Sequence, residues 1–378
     1  MYSAEYNVVY HKRGDKAARK KGVTMSDVAA QAGVSIKTVS NVVNDWPYVT
    51  DDTRKRVMQA IMSVGYRPNQ MARSLVTGKT KAIGVVVPDI SNPFFGVAIR
   101  GCEDVLFAAG YSLFLCNSNE DVDRERYYLD QLLSRGVDAL ILWGTRICCA
   151  ELEEIVGTEA ALVTVDLGEQ PTGPNHICIN VDNVRGAQTA TEHLTHLGHR
   201  RIAHLAGPPG RITAGLRKQG YEQALVAAGI APSPRLVASE RPSIQGGFRA
   251  AQALIQTEKP EAIFCYNDLM ALGVVLAARH LGLVIPDDLA LVGFDDIEMA
   301  SMIDPPLTTV RIPQHRLGRL TGQIVLERLQ DAASAQKAIL CPVELQIRGS
   351  SGKGLFTDQQ RRATLDGLIS SFSDEAVG

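Results

Sequence analysis

Residues 23–81 read VTMSDVAAQAGVSIKTVSNVVNDWPYVTDDTRKRVMQAIMSVGYRPNQMARSLVTGKTK, and this stretch decides the fold of the N-terminal part of the chain. Its cap signals predict three short helices. The first covers about residues 26–32 and ends at Gly33, because glycine favours the C-terminal cap of a helix. The second follows Ser35, whose hydroxyl suits an N-cap, and the third ends at Gly65.

The first two helices have the features of a helix-turn-helix. Ala29 and Gly33 stand where two helices must approach closely and turn sharply. In the second helix Val39, Val42 and Val43 recur at helical spacing, so they are predicted to face the other two helices. This arrangement turns the polar side of the second helix outward.

That polar side carries Lys37, Thr38 and Asn41. Long or hydrogen-bonding side chains near a helix N-terminus are the groups with which a recognition helix reads bases in the DNA major groove. The alternative is a small three-helix core whose polar residues are only solvated. The residues of this segment alone leave both interpretations open.

The whole chain resembles the lac repressor (LacI/GalR) family of transcription regulators. The resemblance is carried by Ala29 with the GVS of 33–35, by the TVS of 38–40 and the GYRPN of 65–69, and it continues from the IGV of 83–85 to about Arg348. It implies a homodimeric regulator that binds double-stranded, pseudo-palindromic operator DNA and responds to a small-molecule effector, expected to be a carbohydrate. The fold it implies is a small all-α helix-turn-helix head plus an α/β bilobed body, periplasmic-binding-protein-like, with two parallel-sheet lobes.

The same resemblance assigns DNA-contacting residues in the head. They are Thr24, Ser35, Ile36, Lys37, Thr38, Ser40, Asn41, Asn44 and Tyr48. Many members of the family carry arginine where this chain has Asn41. Because asparagine pairs with adenine through two hydrogen bonds, we expect adenine rather than guanine at the base that Asn41 reads.

A short hinge helix is expected after the head. Asn69 is suited to cap it, and a helix of this length needs a partner to form. In the family this helix lies in the DNA minor groove, where the residue matching Leu75 wedges a base step. The residues expected there are Asn69, Ala72 and Leu75. The alternative is a plain linker.

Charge is distributed unevenly along the chain. The net charge of the 378 residues is −2, but residues 1–81 hold 14 Lys and Arg against 6 Asp and Glu, and the remainder holds 25 against 35. A basic head on an acidic body fits a head that meets phosphates. Residues 1–22 are expected to be a flexible basic extension, and the alternative, compatible with it, is an arm that contacts DNA.

Cysteine usage and hydropathy indicate the compartment. Seven cysteines show no C-x-x-C spacing, which favours buried thiols in a reducing compartment. No apolar run approaches the ~18 residues of a membrane span, and the first residues lack a hydrophobic signal region. We therefore expect a cytoplasmic protein with no membrane partner.

From Ala82 onward, strand patterns alternate with helix patterns. Strands are predicted at 82–87, 113–116, 139–142, 162–165, 202–205, 262–266 and 289–292, and helices at 94–109, 124–135, 150–156, 184–197, 214–228, 247–256 and 269–280. This alternation predicts parallel sheets with helices on both faces. Two such halves indicate a cleft between two lobes, with the ligand at the carboxyl ends of the strands.

The predicted domains are 1–22, the head 23–66, the hinge and linker 67–80, the body 81–349 and a tail 350–378. The resemblance adds three crossings between the lobes, near 180–182, 311–313 and 340–342. The first lobe is then about 81–180 and 312–340, and the second about 181–311 and 341–349. An apolar stripe within 365–372 is too short for a coiled coil, so assembly is expected to stop at the dimer.

Polar and aromatic residues follow several predicted strands, where a cleft would be lined. They are Phe94, Phe95, Trp143, Arg146, Thr213, Arg217, Asn267 and Asp295. The effector contacts of the family correspond best to Arg217, Asn267 and Asp295. A guanidinium and a carboxylate offer fixed donors and acceptors that suit vicinal hydroxyls. The alternatives are a structural salt bridge for Arg217 and Asp295, and plain packing for Trp143 and Arg146.

No metal site, cofactor or catalytic constellation is expected. The histidines at 193, 196, 199 and 204 are interpreted as surface helix and turn residues, since no carboxylate or thiol stands at ligand spacing. The chain has no G-x-G-x-x-G, G-x-S-x-G or H-E-x-x-H motif. An enzyme on the same bilobed body stays open as an alternative, as does a periplasmic solute-binding protein, which would need an export signal and no head.

Overall fold

The computed structural model describes residues 23–44, 46–66, 78–171, 173–330 and 338–352. The chain divides into two compact units between Thr80 and Lys81. Three groups of residues singled out from the sequence lie outside the described ranges: the basic stretch 1–22, the hinge residues Asn69, Ala72 and Leu75, and the apolar stripe within 365–372.

The first unit contains three helices in its described part. They are α1 (Met25–Ala32), α2 (Ile36–Val43) and α3 (Asp51–Val64). Thr24 and Asp27 form a capping box at the start of α1, and Ser35 Oγ accepts a hydrogen bond from the Thr38 backbone N–H at 3.1 Å. Gly33 and Gly65 end α1 and α3 in the left-handed conformation, with φ of 66° and 67°. The predicted helices are confirmed to within one residue.

A small apolar core holds the three helices together. Val28, Val39 and Val57 come from α1, α2 and α3 in turn, and each is fully buried. Val42 and Tyr66 complete the same cluster. Because each helix contributes at least one fully buried side chain, the core fixes which side of α2 faces solvent.

The second unit alternates strands and helices along its whole length. Its elements are β1 (Ala82–Val87), α4 (Pro93–Ala108), β2 (Ser112–Asn117), α5 (Val122–Ser134), β3 (Ala139–Trp143), α6 (Cys149–Val156), β4 (Ala161–Val165), β5 (His176–Val181), α7 (Asn183–His196), β6 (Ile202–Ala206), α8 (Ile212–Ala227), β7 (Val237–Ser239), α9 (Ile244–Glu258), β8 (Ala262–Cys265), α10 (Asp268–His280), β9 (Ala290–Asp295), α11 (Glu298–Met302), β10 (Thr308–Arg311), α12 (Gln314–Gln330), β11 (Ala338–Cys341) and β12 (Glu344–Gln346). A 3₁₀ turn (Pro234–Leu236) precedes β7.

The strands form two six-stranded sheets, one in each lobe. The order in the first lobe is β11-β5-β4-β3-β1-β2, and all its strand pairs are parallel. The order in the second lobe is β12-β10-β9-β8-β6-β7, in which only β12 runs antiparallel to its neighbour. The predicted bilobed α/β architecture with parallel sheets is therefore confirmed.

The chain passes from one sheet to the other three times. It leaves the first sheet after Val181, returns after Arg311, and leaves again between Cys341 and Glu344. The body also extends further than residue 349, where the sequence placed its end. Ser350 Oγ donates to the Leu291 carbonyl at 2.7 Å and is fully buried.

Five strands are missing from the sequence prediction: β5, β7, β10, β11 and β12. Some are only three or four residues long, and others carry polar residues, as in the TTVR of β10. Thr308 and Thr309 are fully buried there because residues far along the chain satisfy their hydroxyls. The local pattern of hydrophobic residues does not predict such distant hydrogen-bond partners.

In the first lobe, helices α4 and α12 pack with their backbones in direct contact. A Cβ on Gly318 would lie 1.8 Å from the Ala98 carbonyl oxygen, and a Cβ on Gly101 would lie 2.2 Å from the His315 carbonyl oxygen. Glycine is therefore required at both positions for close approach.

Among the described residues, none of the helices combines the length and apolar character that a bilayer span needs.

Candidate functional site

The outward side of α2 carries the residues predicted to contact DNA. Ile36 and Lys37 are exposed, whereas Thr38, Ser40 and Asn41 are half-buried beside the valines of the core. Tyr48 follows the helix and is 85% exposed, with its ring 6.2 Å from that of Trp46. The structure thus presents long and polar side chains along α2 and an exposed aromatic side chain shortly after its end.

Some of the predicted DNA-contacting residues also stabilise the helix ends of the head. Thr24 Oγ1 donates to the Asp27 carboxylate at 2.8 Å, and Ser35 Oγ caps α2 while lying 2.9 Å from the Thr38 hydroxyl. Asn44 Nδ2 donates to Ser40 Oγ at 3.4 Å. The caps fix the helix ends, so the side chains beside them are held in place before any partner arrives.

A cavity of about 50 Å³ lies between the two lobes of the body, at the carboxyl ends of their strands. Six of the eight predicted effector residues line it: Phe94, Phe95, Trp143, Arg217, Asn267 and Asp295. The first three belong to the first lobe and the last three to the second. A ligand in this cavity would contact both lobes at once.

Arg217 is the centre of the polar side of the cleft. Its Nε donates to Asn183 Oδ1 at 2.8 Å, and its Nη1 lies 3.5 Å from Asp295 Oδ1. The guanidinium also lies over the Phe294 ring, 3.7 Å from its centroid. Arg217 and Asp295 are both buried, so their geometry is rigid and largely shielded from water.

A second carboxylate completes this network from the first lobe. Asn183 Nδ2 donates to Asp166 Oδ1 at 2.6 Å, which links Asp166 to Arg217 through one amide. Burial raises the pKa of Asp295 to about 7, and the neighbouring Arg217 charge opposes this. Burial likewise raises the pKa of Asp166 against the opposing charge of Arg217. The cleft therefore holds two buried carboxyl groups whose charged form an added hydrogen-bond donor would stabilise.

The backbone of the cleft contains strained carboxylate positions. Asp295 has a φ of 108° and Asp166 a φ of 61°, in the region where residues other than glycine are uncommon. Strain of this kind costs on the order of 1–3 kcal/mol and tends to concentrate at functional sites. Here it aims two carboxyl groups from opposite lobes toward one arginine.

Aromatic rings form the opposite wall. The Phe94 ring lies 5.2 Å from that of Phe95 and 6.4 Å from that of Trp143, both in edge-on geometry. Trp143 Nε1 is buried and has no hydrogen-bond partner among the described residues. Since a buried donor without a partner costs roughly 1–3 kcal/mol, an acceptor on a bound ligand would relieve this cost.

Asn267 offers a ligand the two N–H donors of its side-chain amide. Its Oδ1 accepts a hydrogen bond from the Met270 backbone N–H at 3.0 Å, as the N-cap of α10. That cap occupies the carbonyl end of the amide. A ligand would therefore meet the Nδ2 donor.

Thr213 and Arg146 are not among the residues that line the cavity. The Thr213 hydroxyl lies 2.9 Å from the hydroxyl of Tyr266, which itself lines the cleft, so Thr213 acts on the cavity through that ring. Arg146 is exposed, and its guanidinium donates to the carbonyls of Glu120 and Pro209 at 3.4 and 3.5 Å. It bridges the two lobes beside the cleft.

Several lining residues are absent from the sequence prediction: Asp89, Asn92, Glu120, Asp166, Arg211 and Tyr266. Asp166 directly follows β4, so the strand-end rule that selected Trp143 would have found it. Arg211 Nη2 donates to the Glu120 carboxylate across the two lobes, and Arg211 Nε has no partner among the described residues. No local sequence signal indicates a pair of residues this far apart.

His204 differs from its interpretation as a surface residue. It lies in β6, fully buried, with its ring stacked 4.9 Å from Phe264 and 5.1 Å from Tyr221. His193 Nε2 lies 2.8 Å from Ser351 Oγ. One group of ligand-type side chains lies elsewhere in the first lobe, at Cys149, His176 and Cys178.

The chain matches two family descriptions. "Bacterial regulatory proteins, lacI family" matches residues 24–69, and "Periplasmic binding protein-like domain" matches residues 191–351. The HTH-type transcriptional repressor PurR of Aliivibrio fischeri is 33% identical over 342 residues, which cover 86% of this chain and 98% of that protein.

Two solved structures are similar in fold. The lac repressor dimer bound to operator and the anti-inducer ONPF aligns with a TM-score of 0.77 and 28% identity, over 87% of this chain and 99% of that one. A LacI family transcriptional regulator from Enterococcus faecium with bound ribose aligns with a TM-score of 0.65 and 30% identity, over 72% of this chain and 98% of that one. The chain therefore belongs to the lacI family of bacterial regulatory proteins.

Proposed function

We propose that this protein is a sequence-specific DNA-binding transcriptional repressor controlled by a small molecule that binds between the two lobes. The observation that carries the proposal is the cleft. Both lobes contribute rigid, buried polar groups to it, and an unpaired indole N–H lies in its wall. A head with an outward recognition helix gives the chain a second binding surface for the cleft to control.

For DNA binding, α2 is the recognition helix of the head. Two heads in a homodimer would enter successive major grooves, so the operator is pseudo-palindromic. Residues 67–80 would act as the hinge between the head (23–66) and the body, which begins at residue 81, with Asn69, Ala72 and Leu75 at the minor groove. The lac repressor dimer, which was solved on its operator, supports this arrangement.

The effector is a carbohydrate or a derivative of one. Arg217, Asn267 and Asp295 supply donors and an acceptor on one wall, while Phe94 and Trp143 supply aromatic faces on the other. Vicinal hydroxyls and the apolar face of a sugar ring fit these two walls. The ribose bound by the Enterococcus faecium regulator supports this class of ligand.

Control arises from the angle between the lobes. A ligand that touches both walls favours one angle, because only differential affinity shifts a conformational equilibrium. That angle would set the spacing of the two hinge segments across the dimer, and with it the formation of the hinge helices on DNA. The coupling should be about 1–3 kcal/mol and reciprocal between effector and operator.

No catalytic role is proposed for the cleft, which needs no reaction to bind a metabolite, and no cofactor is assigned to it. An operator-binding repressor acts where the DNA is, so we place this protein in the cytoplasm. An enzyme or a solute-binding protein would leave the head without a purpose.

The test uses the full-length chain. A thermal-shift screen of sugars, sugar phosphates, polyols and nucleobases should identify the effector, since a ligand at ~100 times its Kd adds roughly 2.7 kcal/mol of stability. Selection from random duplexes should return a pseudo-palindrome, and its affinity should change when effector is added. Asp295→Ala should lose the effector response and keep basal operator affinity, while Glu298→Ala, an exposed acid three residues away, should keep both.

Two results would contradict the proposal. One is selective duplex binding that the identified effector leaves unchanged. The other is equal effector affinity in Asp295→Ala and the unaltered chain.

A further inference from the structure

A buried cluster of soft ligand groups lies in the first lobe and takes no part in the lining of the cleft. Its members are Cys149, His176 and Cys178, whose ligand atoms all lie within 4.8 Å of one another. All three side chains are buried. Thiols and imidazole are the ligands that zinc prefers in proteins.

The fold brings these groups together from two elements. His176 and Cys178 are two residues apart in β5, so both side chains lie on one face of the sheet. Cys149 is the first residue of α6, and its thiol lies within 4.8 Å of that of Cys178. Because this contact joins residues that are distant in the chain, no spacing of ligand residues in the sequence indicates it.

Two carboxylates complete the surroundings of the cluster. His176 Nδ1 lies 2.9 Å from Glu153 Oε1, while its Nε2 lies 3.4 Å from Cys178 Sγ. A carboxylate on the outer ring nitrogen is the arrangement that orients histidine ligands of metals. The Glu169 carboxylate accepts a hydrogen bond from the backbone N–H of Cys149 at 2.8 Å.

We propose that Cys149, His176 and Cys178 bind one Zn²⁺ ion. Tetrahedral bonds of about 2.0–2.3 Å place ligand atoms roughly 3.3–3.8 Å apart. His176 Nε2 and Cys178 Sγ, 3.4 Å apart, already have this spacing, and any longer separation within the 4.8 Å limit must shorten by about 1 Å at most. Glu153 acts as the partner that orients His176. His176 and Glu153 also line a surface cavity of about 240 Å³, which gives an ion a route of entry.

One hydroxyl must move when the ion binds. Thr164 Oγ1 lies 2.9 Å from His176 Nε2 and 2.9 Å from Cys178 Sγ, so it links the two groups that the ion would share. Rotation of this side chain frees the imidazole nitrogen and lets the hydroxyl donate to the Cys178 thiolate. No backbone rearrangement is required for this step.

The experiment is a metal titration of the full-length reduced chain. Co²⁺ replaces Zn²⁺ as a probe because its thiolate complexes absorb light. We expect one Co²⁺ per chain, a thiolate-to-cobalt charge-transfer band, and loss of that band when Zn²⁺ is added. Cys149→Ser and Cys178→Ser should each abolish the band, whereas Cys148→Ser, which alters the exposed neighbouring thiol, should leave it unchanged.

A second variant guards against loss of fold. His176→Gln keeps a polar group near Glu153 but removes the nitrogen ligand, and it should weaken Co²⁺ binding at least tenfold while circular dichroism stays unchanged. The proposal is overturned if the reduced chain binds no Co²⁺, or if the band survives in Cys149→Ser and disappears in Cys148→Ser. It is also overturned if Cys149 and Cys178 form a disulfide in air and the reduced pair takes no metal.

Discussion

The guanidinium of Arg211 in the second lobe is paired with the carboxylate of Glu120 in the first lobe. Their side chains are only 5% and 13% exposed, and both line the cleft. Arg241 adds a weaker link, since its guanidinium donates to Asn119 Oδ1 at 3.3 Å across the same gap. The lobes in this structure are thus held closed by the protein's own charges.

Removing this pair should open the cleft. Arg211→Gln and Glu120→Gln each leave a partly buried charge without its partner, which is costly unless the lobes separate and water enters. Small-angle scattering without ligand should show a larger radius of gyration for both variants. The double variant should open no further than either single one, because both remove the same interaction.

Arg249→Gln is the matched control for this prediction. Arg249 pairs with Glu240 at 2.9 Å within the second lobe, and its side chain is 57% exposed. The radius of gyration should not change in this variant. An unchanged radius in Arg211→Gln as well would show that the pair does not hold the lobes together.

Asn41 should set base preference in the operator. Asparagine pairs with adenine through two hydrogen bonds, whereas arginine pairs with guanine. Asn41→Arg should therefore change the preferred base at one position of each half-site, with discrimination of about 1–3 kcal/mol. Selection from random duplexes measures this, with Lys55→Gln as an exposed control on α3 that should preserve the preference. The same preference in Asn41→Arg and in the unaltered chain would rule out this role.

Gly318→Ala should strongly destabilise the first lobe. The added methyl would lie 1.8 Å from the Ala98 carbonyl oxygen, so α4 and α12 must move apart. Overpacking of this kind costs typically ~1–3 kcal/mol, and we expect about 3 kcal/mol or more in urea unfolding. Gly96→Ala on α4 is the control: no atom lies within 4 Å of the new methyl, and helix propensity favours alanine by about 1 kcal/mol. Equal stabilities for the two variants would contradict the backbone contact.

His204 should make the stability of the fold depend on pH. Burial lowers the pKa of His204 to about 4, against the opposing hydrogen bond to the Phe264 carbonyl, whereas the ordinary value is 6.5. In the unfolded chain the His204 imidazole is therefore protonated below about pH 6.5. In the folded chain it stays neutral until the pH falls to about 4. The stability that comes from the neutral imidazole is present above pH 6.5 and is lost as the pH falls toward 4, by about 1.4 kcal/mol per unit.

The variant His204→Gln should lack this loss. As the pH falls from 7 to 5, the free energy of unfolding of the unaltered chain should drop by about 2 kcal/mol more than that of the variant. His196→Gln, at an exposed position on α7, should keep the original pH dependence. Parallel pH profiles for His204→Gln and the unaltered chain would show that the imidazole does not titrate in this way.

Local signals explain why much of this fold is readable from the sequence. Ser35, Gly33 and Gly65 mark helix ends by chemistry that acts within a few residues, and the predicted helices of the head agree with the structure. Strand ends are local too, and they point to Trp143, Asn267 and Asp295, which line the cleft. Arg217 lies inside a helix, and the family resemblance rather than a strand end indicates it. Whether these residues contact an effector is a separate question, which the Asp295→Ala experiment addresses.

Long-range pairings explain what the sequence does not reveal. Arg211 meets Glu120 only because the two lobes close, and Thr309 is buried in β10 only because its hydroxyl donates to Asp268 at 2.6 Å. Cys149 and Cys178 meet through the packing of α6 on the sheet. None of these contacts leaves a periodic pattern in the chain, so each requires the three-dimensional fold.

The three passages of the chain between the sheets have a consequence for synthesis on the ribosome. The first sheet takes its edge strand from Ala338–Cys341, and α4 packs against Gln314–Gln330, although most of that lobe precedes residue 182. A nascent chain that has emerged only to His196 therefore presents β5 as an open edge and α4 without its partner helix. The first sheet takes its last strand from Ala338–Cys341 and the second from Glu344–Gln346, so neither sheet can be completed before these neighbouring segments are translated.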